Sequence, residues 1–176
     1  MDLPDGVRLA SLKMHHDERG WFSEIFRDEW DVTRLPCQWN VGYSLPNTLR
    51  GAHVHLCHQD YFTVVHGRIT MGLFDVRPKS RTYRLSALIE LGSQSLAAIT
   101  VPCGVVHALY SHDSSVHVYG VDHYYDPAEE LTCRWNDPAL GLAWPCTDPV
   151  LHERDRNAGS LADLEAALRR MKIEFA

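Results

Sequence analysis

No stretch of this chain reaches the roughly 18 consecutive apolar residues a membrane span needs. Its opening, MDLPDGVRLASLKMHHDERG, also lacks the unbroken apolar centre of a secretory leader. Both absences lead us to expect a cytoplasmic protein with no membrane partner. No CxxC pair is present, and the five cysteines (Cys37, Cys57, Cys103, Cys133, Cys146) are odd in number and widely spaced. That pattern argues against a disulfide framework or a zinc ribbon and reads as reduced, mostly buried thiols. No basic stripe is visible, and 17 Lys plus Arg face 23 Asp plus Glu for a formal charge of −6, which disfavours nonspecific nucleic-acid binding. Repeats, low-complexity tracts and linkers are also missing. What remains is 176 residues, 45% hydrophobic and 23% charged, the size and composition of one folded domain spanning residues 1–176.

Long helical periodicity is absent until the C-terminal end, and short β-rich runs separated by turn residues take its place. The expected strands are 21–27, 38–44, 49–56, 61–65, 68–76, 83–91, 96–101, 105–111 and 116–125. So many short strands predict an all-β protein, a barrel or sandwich, with its core at about 17–145. His66-Gly67, the segment around Pro78 and Pro102-Cys103-Gly104 read as hairpin turns. The composition turns polar after Trp144-Pro145, giving a C-terminal helical segment over about 146–176. Within it Ser160 reads as an N-cap with Asp163 at the third position, and Leu161, Leu164, Leu168 and Met171 follow helical spacing.

Arg50-Gly51-Ala52-His53-Val54-His55 sets two histidines two residues apart on an expected strand, so both point to one face. Pro102 to His107 adds a third histidine after a Pro-Gly turn. Together these segments resemble the paired motifs of the cupin barrel, in which HxH plus an acid and one later histidine hold a metal. Here the acid position falls on Gln59, and an amide there removes much of the charge neutralisation a divalent ion wants. The expectation is no metal. A metal-dependent cupin (a dioxygenase or isomerase using His53, His55, Gln59 and His107) stays as an alternative. His55 alone reads as a polar strand residue near the pocket mouth, and His58, His66, His112, His117, His123 and His152 as ordinary surface or strand histidines.

More specific is a series of motifs in order: Asp17-Glu18-Arg19-Gly20-Trp21-Phe22-Ser23-Glu24, Gln38-Trp39-Asn40, Leu49-Arg50-Gly51-Ala52-His53, Asp75 to Tyr83, Pro102 to His107, Tyr119 with Tyr124-Tyr125, Trp135-Asn136-Asp137-Pro138, and Trp144-Pro145. This series resembles the dTDP-4-dehydrorhamnose 3,5-epimerase family of metal-independent cupins, from about Asp17 to about Leu164. The resemblance implies a jelly-roll barrel, a homodimer and no cofactor. It also implies epimerisation of a nucleotide-linked 4-keto sugar at carbon 3, carbon 5 or both, for a surface polysaccharide or a deoxysugar. The nucleotide is expected to be dTDP, with GDP or CDP as alternatives, and a non-catalytic binding cupin is the remaining alternative.

Such a reaction needs a base, an enolate stabiliser and an acid on the opposite face. By resemblance His53 is the base, Asp155 its carboxylate partner within His152-Glu153-Arg154-Asp155, and Tyr119 the acid. Arg50 and His107 would hold the oxyanion or the phosphates. Arg19 and Glu24 would contact the nucleotide, partly across the dimer interface, with Gln38 and Asn40 assisting. The family's usual enolate-stabilising lysine, in a Q-x-K-L-V segment, aligns here with Tyr61 of Gln59-Asp60-Tyr61, a neutral donor in place of a cation. Ala52, Gly42 and His55 also depart from the family pattern and would reshape the pocket.

Overall fold

The computed structural model describes residues 2–173 and 175, and antiparallel strands are its main regular structure. In chain order these are β1 (Arg8–Ser11), β2 (His15–Asp17), β3 (Gly20–Phe22), β4 (Gln38–Ser44), β5 (Thr48–His55) and β6 (Asp60–His66). There follow β7 (Arg68–Asp75), β8 (Ser86–Gly92), β9 (Ala97–Val101), β10 (Val105–Ser111), β11 (Ser115–Val121) and β12 (Glu130–Thr132). Two helices, α1 (Glu153–Arg156) and α2 (Leu161–Met171), come after the last strand.

The strands form two five-stranded sheets, ordered β1-β9-β6-β11-β4 and β12-β5-β10-β7-β8, with β2 and β3 as a separate hairpin. The all-β jelly roll expected from the sequence is therefore present, as two sheets that do not join edge to edge. Its first strand, β1, pairs with β9 and lies ahead of the expected start of the core at Asp17. The turn around Pro78 joins the β7–β8 hairpin as expected. His66-Gly67 and Pro102 to Gly104 instead carry the chain from one sheet to the other, because β6 and β9 belong to the first sheet and β7 and β10 to the second. Tight turns are read from glycine and proline; which sheet the next strand joins is decided by tertiary pairing.

Strand alternation produces three apolar clusters. Between the sheets lie Phe62, Val64, Ile69, Met71, Leu73, Ile89, Ile99, Val105 and Leu109. On the outer face of the second sheet Leu49, Ala52, Val54, Phe74, Val106 and Ala108 pack against Trp135, Leu140 and the α2 leucines Leu161, Leu164 and Leu168. The expected capping box is formed, with Ser160 Oγ accepting from the Asp163 N–H and the Asp163 carboxylate accepting from the Ser160 N–H. Met171, expected in the apolar stripe, is instead exposed. The third cluster lies on the outer face of the first sheet, where Tyr61, Leu96 and Ala98 meet Ile25, Phe26 and Trp30. All five cysteines are free thiols, but they are not mostly buried as expected: Cys133 is buried, Cys103 and Cys146 are partly exposed, and Cys37 and Cys57 are exposed.

Candidate active site

The site begins with an irregularity in β5. Facing β10, His107 pairs with His53 and Leu109 with Arg50, so two residue steps on one strand meet three on the other. The extra residue is a bulge, and it shifts the phase of the alternation. Leu49 and Ala52 both pack outward in the α2-covered cluster. Arg50 and His53, three apart, consequently share the inner face, which an unbroken strand would forbid. Gly51 makes the bulge possible: its φ is +119°, and a Cβ there would lie 2.6 Å from that of Ala108.

Just beyond the short β12, the edge of β5 receives α1. There Asp155, 3% exposed, accepts a hydrogen bond from the Gly51 N–H at 3.2 Å and lies 2.8 Å, through Oδ1, from His53 Nε2. Burial would raise the Asp155 pKa, but the hydrogen bond and charge of His53, the Gly51 N–H and Arg154 together hold it below the usual carboxylate range. An ionised Asp155 requires the proton of neutral His53 to be on Nε2, which leaves Nδ1 bare, 3.9 Å from Glu130 Oε2. Arg154 Nη2 also lies 2.8 Å from Nε2 and can donate to it only in the other tautomer. The Arg154 guanidinium also pairs with Glu130 and sits 3.5 Å from Asp155.

Across the interior, Tyr119 on β11 lies beside Phe62 and His117. Burial raises its pKa, Asp60 and Glu130 add to the rise, and Arg50 opposes it, so the phenol stays protonated at neutral pH. Arg50 reaches from β5 to Ser44 Oγ at 3.0 Å and to the Tyr43 carbonyl at 2.9 Å. Gln38 and Asn40 share the inner side of β4 and are joined by a 2.8 Å hydrogen bond, and Asn40 pairs with Tyr119. His117, read as an ordinary surface or strand histidine, is a buried residue of β11, and burial together with Arg50 pushes its pKa down to about 4. Its ring fills the space a Cβ on Gly42 would need, with Nε2 only 2.2 Å from that position. Gly42 therefore reshapes the pocket by admitting His117.

Two further corrections concern β6. Tyr61 faces away from His53, donating its hydroxyl to the Ile25 carbonyl at 2.7 Å and packing edge-on against Phe26. Gln59 also points away and donates to Thr33 Oγ1. The inward residue is Asp60, in step with Phe62 and Val64. A slip of one residue moves a side chain to the other face of a sheet, and counting inward positions back from the Gly67 turn arrives at Asp60. The pocket thus carries an acid where a neutral donor was expected.

Asp60 Oδ2 lies 3.3 Å from His55 Nε2 and 3.2 Å from His107 Nε2. Burial opposes ionisation of Asp60, but His55 and His107 overcome it and hold the carboxylate well below its ordinary range. Burial would likewise depress His107, yet Asp60 raises it above the usual imidazole value. With Nδ1 3.4 Å from the Val105 carbonyl and Nε2 on Asp60, both His107 nitrogens have partners within the protein. That leaves His107 with no free donor for a substrate oxyanion. His55, read as a polar strand residue near the pocket mouth, and His58, read as an ordinary surface or strand histidine, are both buried. With Arg154, Glu129 and Glu130 complete a polar cluster; the motif reading passed over these two acids, although Glu130 pairs directly with His55 on the neighbouring strand.

Arg19 and Glu24 are not brought to this cluster: Arg19 pairs with Asp17 on the β2–β3 hairpin, and Glu24 pairs with Arg27. A separate surface groove, lined by Asp5, Arg8, Arg34, Arg77 and Pro102 among others, shares no residue with the histidine site.

The sequence profile described as dTDP-4-dehydrorhamnose 3,5-epimerase matches residues 2–163. A dTDP-4-dehydrorhamnose 3,5-epimerase of Neisseria gonorrhoeae is 34% identical over 95% of this chain, which spans only 53% of that longer protein. A dTDP-4-dehydro-6-deoxyglucose 3-epimerase of Streptomyces bikiniensis is 32% identical over 92% of this chain and 87% of its own. Among solved structures, a 3,5-epimerase of Legionella pneumophila in complex with dTDP-4-keto-L-rhamnose superposes with a TM-score of 0.85 at 26% identity, covering 93% of this chain and 92% of that one.

Proposed function

This chain belongs to the dTDP-4-dehydrorhamnose 3,5-epimerase family, and from that membership we propose that it epimerises a nucleotide-linked 4-keto sugar, dTDP-linked by the names of its relatives, at carbon 3, carbon 5 or both. The observation that carries the reading is the His53–Asp155 pair at 2.8 Å. A hydrogen beside a ketone is acidic because its removal gives an enolate, and a neutral imidazole held in one tautomer by a carboxylate is suited to take it. In this reading Nδ1 of His53 accepts the proton, Asp155 orients the ring and stabilises the imidazolium, and the electron pair passes into the carbonyl. His53 stands on the second sheet and Tyr119 on the first. A sugar between them meets base and acid on opposite faces, as inversion requires. Arg50 supplies a cation beside Tyr119 for the oxyanion or the phosphates.

Replacing Tyr119 by phenylalanine separates the two half-reactions. The base and Asp155 are untouched, so substrate incubated in deuterium oxide should still gain deuterium, with configuration retained, while inversion fails. If Tyr119 is only a core aromatic, exchange and inversion fall together with the melting temperature. A normal yield of inverted product from the variant retires Tyr119 as the acid.

We also propose a homodimer. β4 is the outermost strand of its sheet, and its outward residues Trp39, Val41 and Tyr43 are 42%, 73% and 57% exposed. With Arg19 and Glu24 apart from their own chain's cluster, a second copy on this edge is the natural recipient for them. Light scattering should give about twice the 20.0 kDa chain mass, and Val41→Asp should return it to one chain. A wild-type particle of one chain mass overturns the proposal.

A further inference from the structure

Besides the base and its partner, the interior holds a tight cluster that the proposed reaction does not use. His55, His58 and Asp60 each present one ligand atom, and the three atoms all lie within 4.8 Å of one another. All three residues are buried, at 9%, 4% and 6% exposure. His55 ends β5, Asp60 opens β6, and His58 lies in the four-residue connection between them, so this short stretch of chain bridges the two sheets.

The spacings suit coordination better than hydrogen bonding. His55 Nε2 lies 3.3 Å from Asp60 Oδ2 and His58 Nε2 lies 3.8 Å from Asp60 Oδ1. Charge-assisted hydrogen bonds close to about 2.7–2.9 Å. Donors around an ion with bonds of about 2.0–2.2 Å stand about 3–3.5 Å apart. The two imidazoles lie against each other, with ring centroids 3.9 Å apart and an interplanar angle of 29°. His55 Nδ1 is buried without a hydrogen-bond partner. The outer nitrogen of His58, Nδ1, faces Glu129 Oε2 at 3.4 Å, the carboxylate support that orients metal-bound histidines. Nearby charge points the same way: Asp60 and Glu129 both face His58, while Arg154 is engaged by Glu130 and Asp155.

We propose that His55, His58 and Asp60 bind one first-row divalent transition-metal ion, with His107 and Glu129 supporting Asp60 and His58. Two imidazoles and one carboxylate are a donor set for Fe, Mn, Co, Ni or Zn and leave positions open to solvent or substrate. This ligand set differs from the motif-based alternative, which placed Gln59 where the chain supplies Asp60. The site stands on its own geometry and does not depend on the epimerase reading.

The test uses chelator-stripped full-length protein titrated with Co²⁺ followed by visible absorption, and with Mn²⁺, Ni²⁺, Zn²⁺ and anaerobic Fe²⁺ by calorimetry. One equivalent per chain is expected for at least one of these ions. Glu129→Gln should weaken binding about 10–100-fold, and Asp60→Asn and His58→Gln should each weaken it further, while Tyr119→Phe leaves it unchanged. Circular dichroism on each variant identifies any that fail to fold, and the remaining variants then decide. Absence of saturable binding of every ion up to about 1 mM, or binding unaltered in folded Asp60→Asn or His58→Gln protein, overturns the site. Neither result touches the deuterium-exchange reading of His53 and Tyr119.

Discussion

His53→Asn should lose both deuterium uptake and inversion of the 4-keto nucleotide sugar, a fall of about 10²–10⁴-fold and below detection in most assays. The size follows from the role assigned: without the imidazole no positioned group of suitable basicity takes the carbon-bound proton. Asp155 is held ionised but faces His53 Nε2 and the Gly51 N–H. Asp60 is occupied by His55 and His107. Tyr119 is protonated, with its pKa raised by burial. Asparagine keeps a polar group of similar reach, and the His53 side chain is 14% exposed at the rim of the cluster, so the fold should survive. Asp155→Asn should fall between wild type and His53→Asn, because the imidazole remains but its tautomer is no longer fixed. Proton NMR of the product at carbons 3 and 5 reads both quantities. A His53→Asn protein that still exchanges either hydrogen at the wild-type rate would remove His53 as the base.

The second large effect concerns Gly51→Ala. A side chain at φ +119° is strained, and the new Cβ would sit 2.6 Å from Ala108 Cβ and 2.8 Å from the His107 carbonyl. Backbone strain of about 1–3 kcal/mol adds to about 1–3 kcal/mol of overpacking. For a chain of this size the melting temperature should drop by about 10 °C. Activity should fall further than stability explains, since the bulge puts Arg50 and His53 on one face and its N–H donates to Asp155. Gly20→Ala is the internal control: its φ is +131° but nothing lies within 4 Å of its Cβ position, so it carries the strain without the clash. Equal losses in the two variants would show that crowding against β10 has no part in the effect.

How much was legible from sequence depended on what local patterns encode. Alternation and turn residues located β4, β5, β6, β7 and β10 nearly to the residue, because each is half or fully buried and bounded by glycine, proline or polar turns. The edge strands β1 and β12 have three or four residues, too few for a period to show. His53 and Asp155, 102 positions apart, were joined by motif resemblance, and the structure brings them into contact. The same reading failed by one position at each of Gln59 and Tyr61, on either side of Asp60, where strand parity decides which side chain enters the pocket. It also passed over the bulge, whose only sign in the sequence is Gly51. The burial of His58 and His117 depends on what packs over them, which no short window contains.

Asp155 follows every strand of both sheets in chain order. During synthesis the ribosome therefore releases His53, Tyr119 and the whole sandwich before the carboxylate that orients the imidazole, and folding proceeds from the N-terminal side. A nascent chain halted before α1 lacks the carboxylate that fixes the proton of His53. In the proposed reaction proton abstraction therefore reaches its full rate only once α1 has emerged, which makes this late segment a maturation step built into translation.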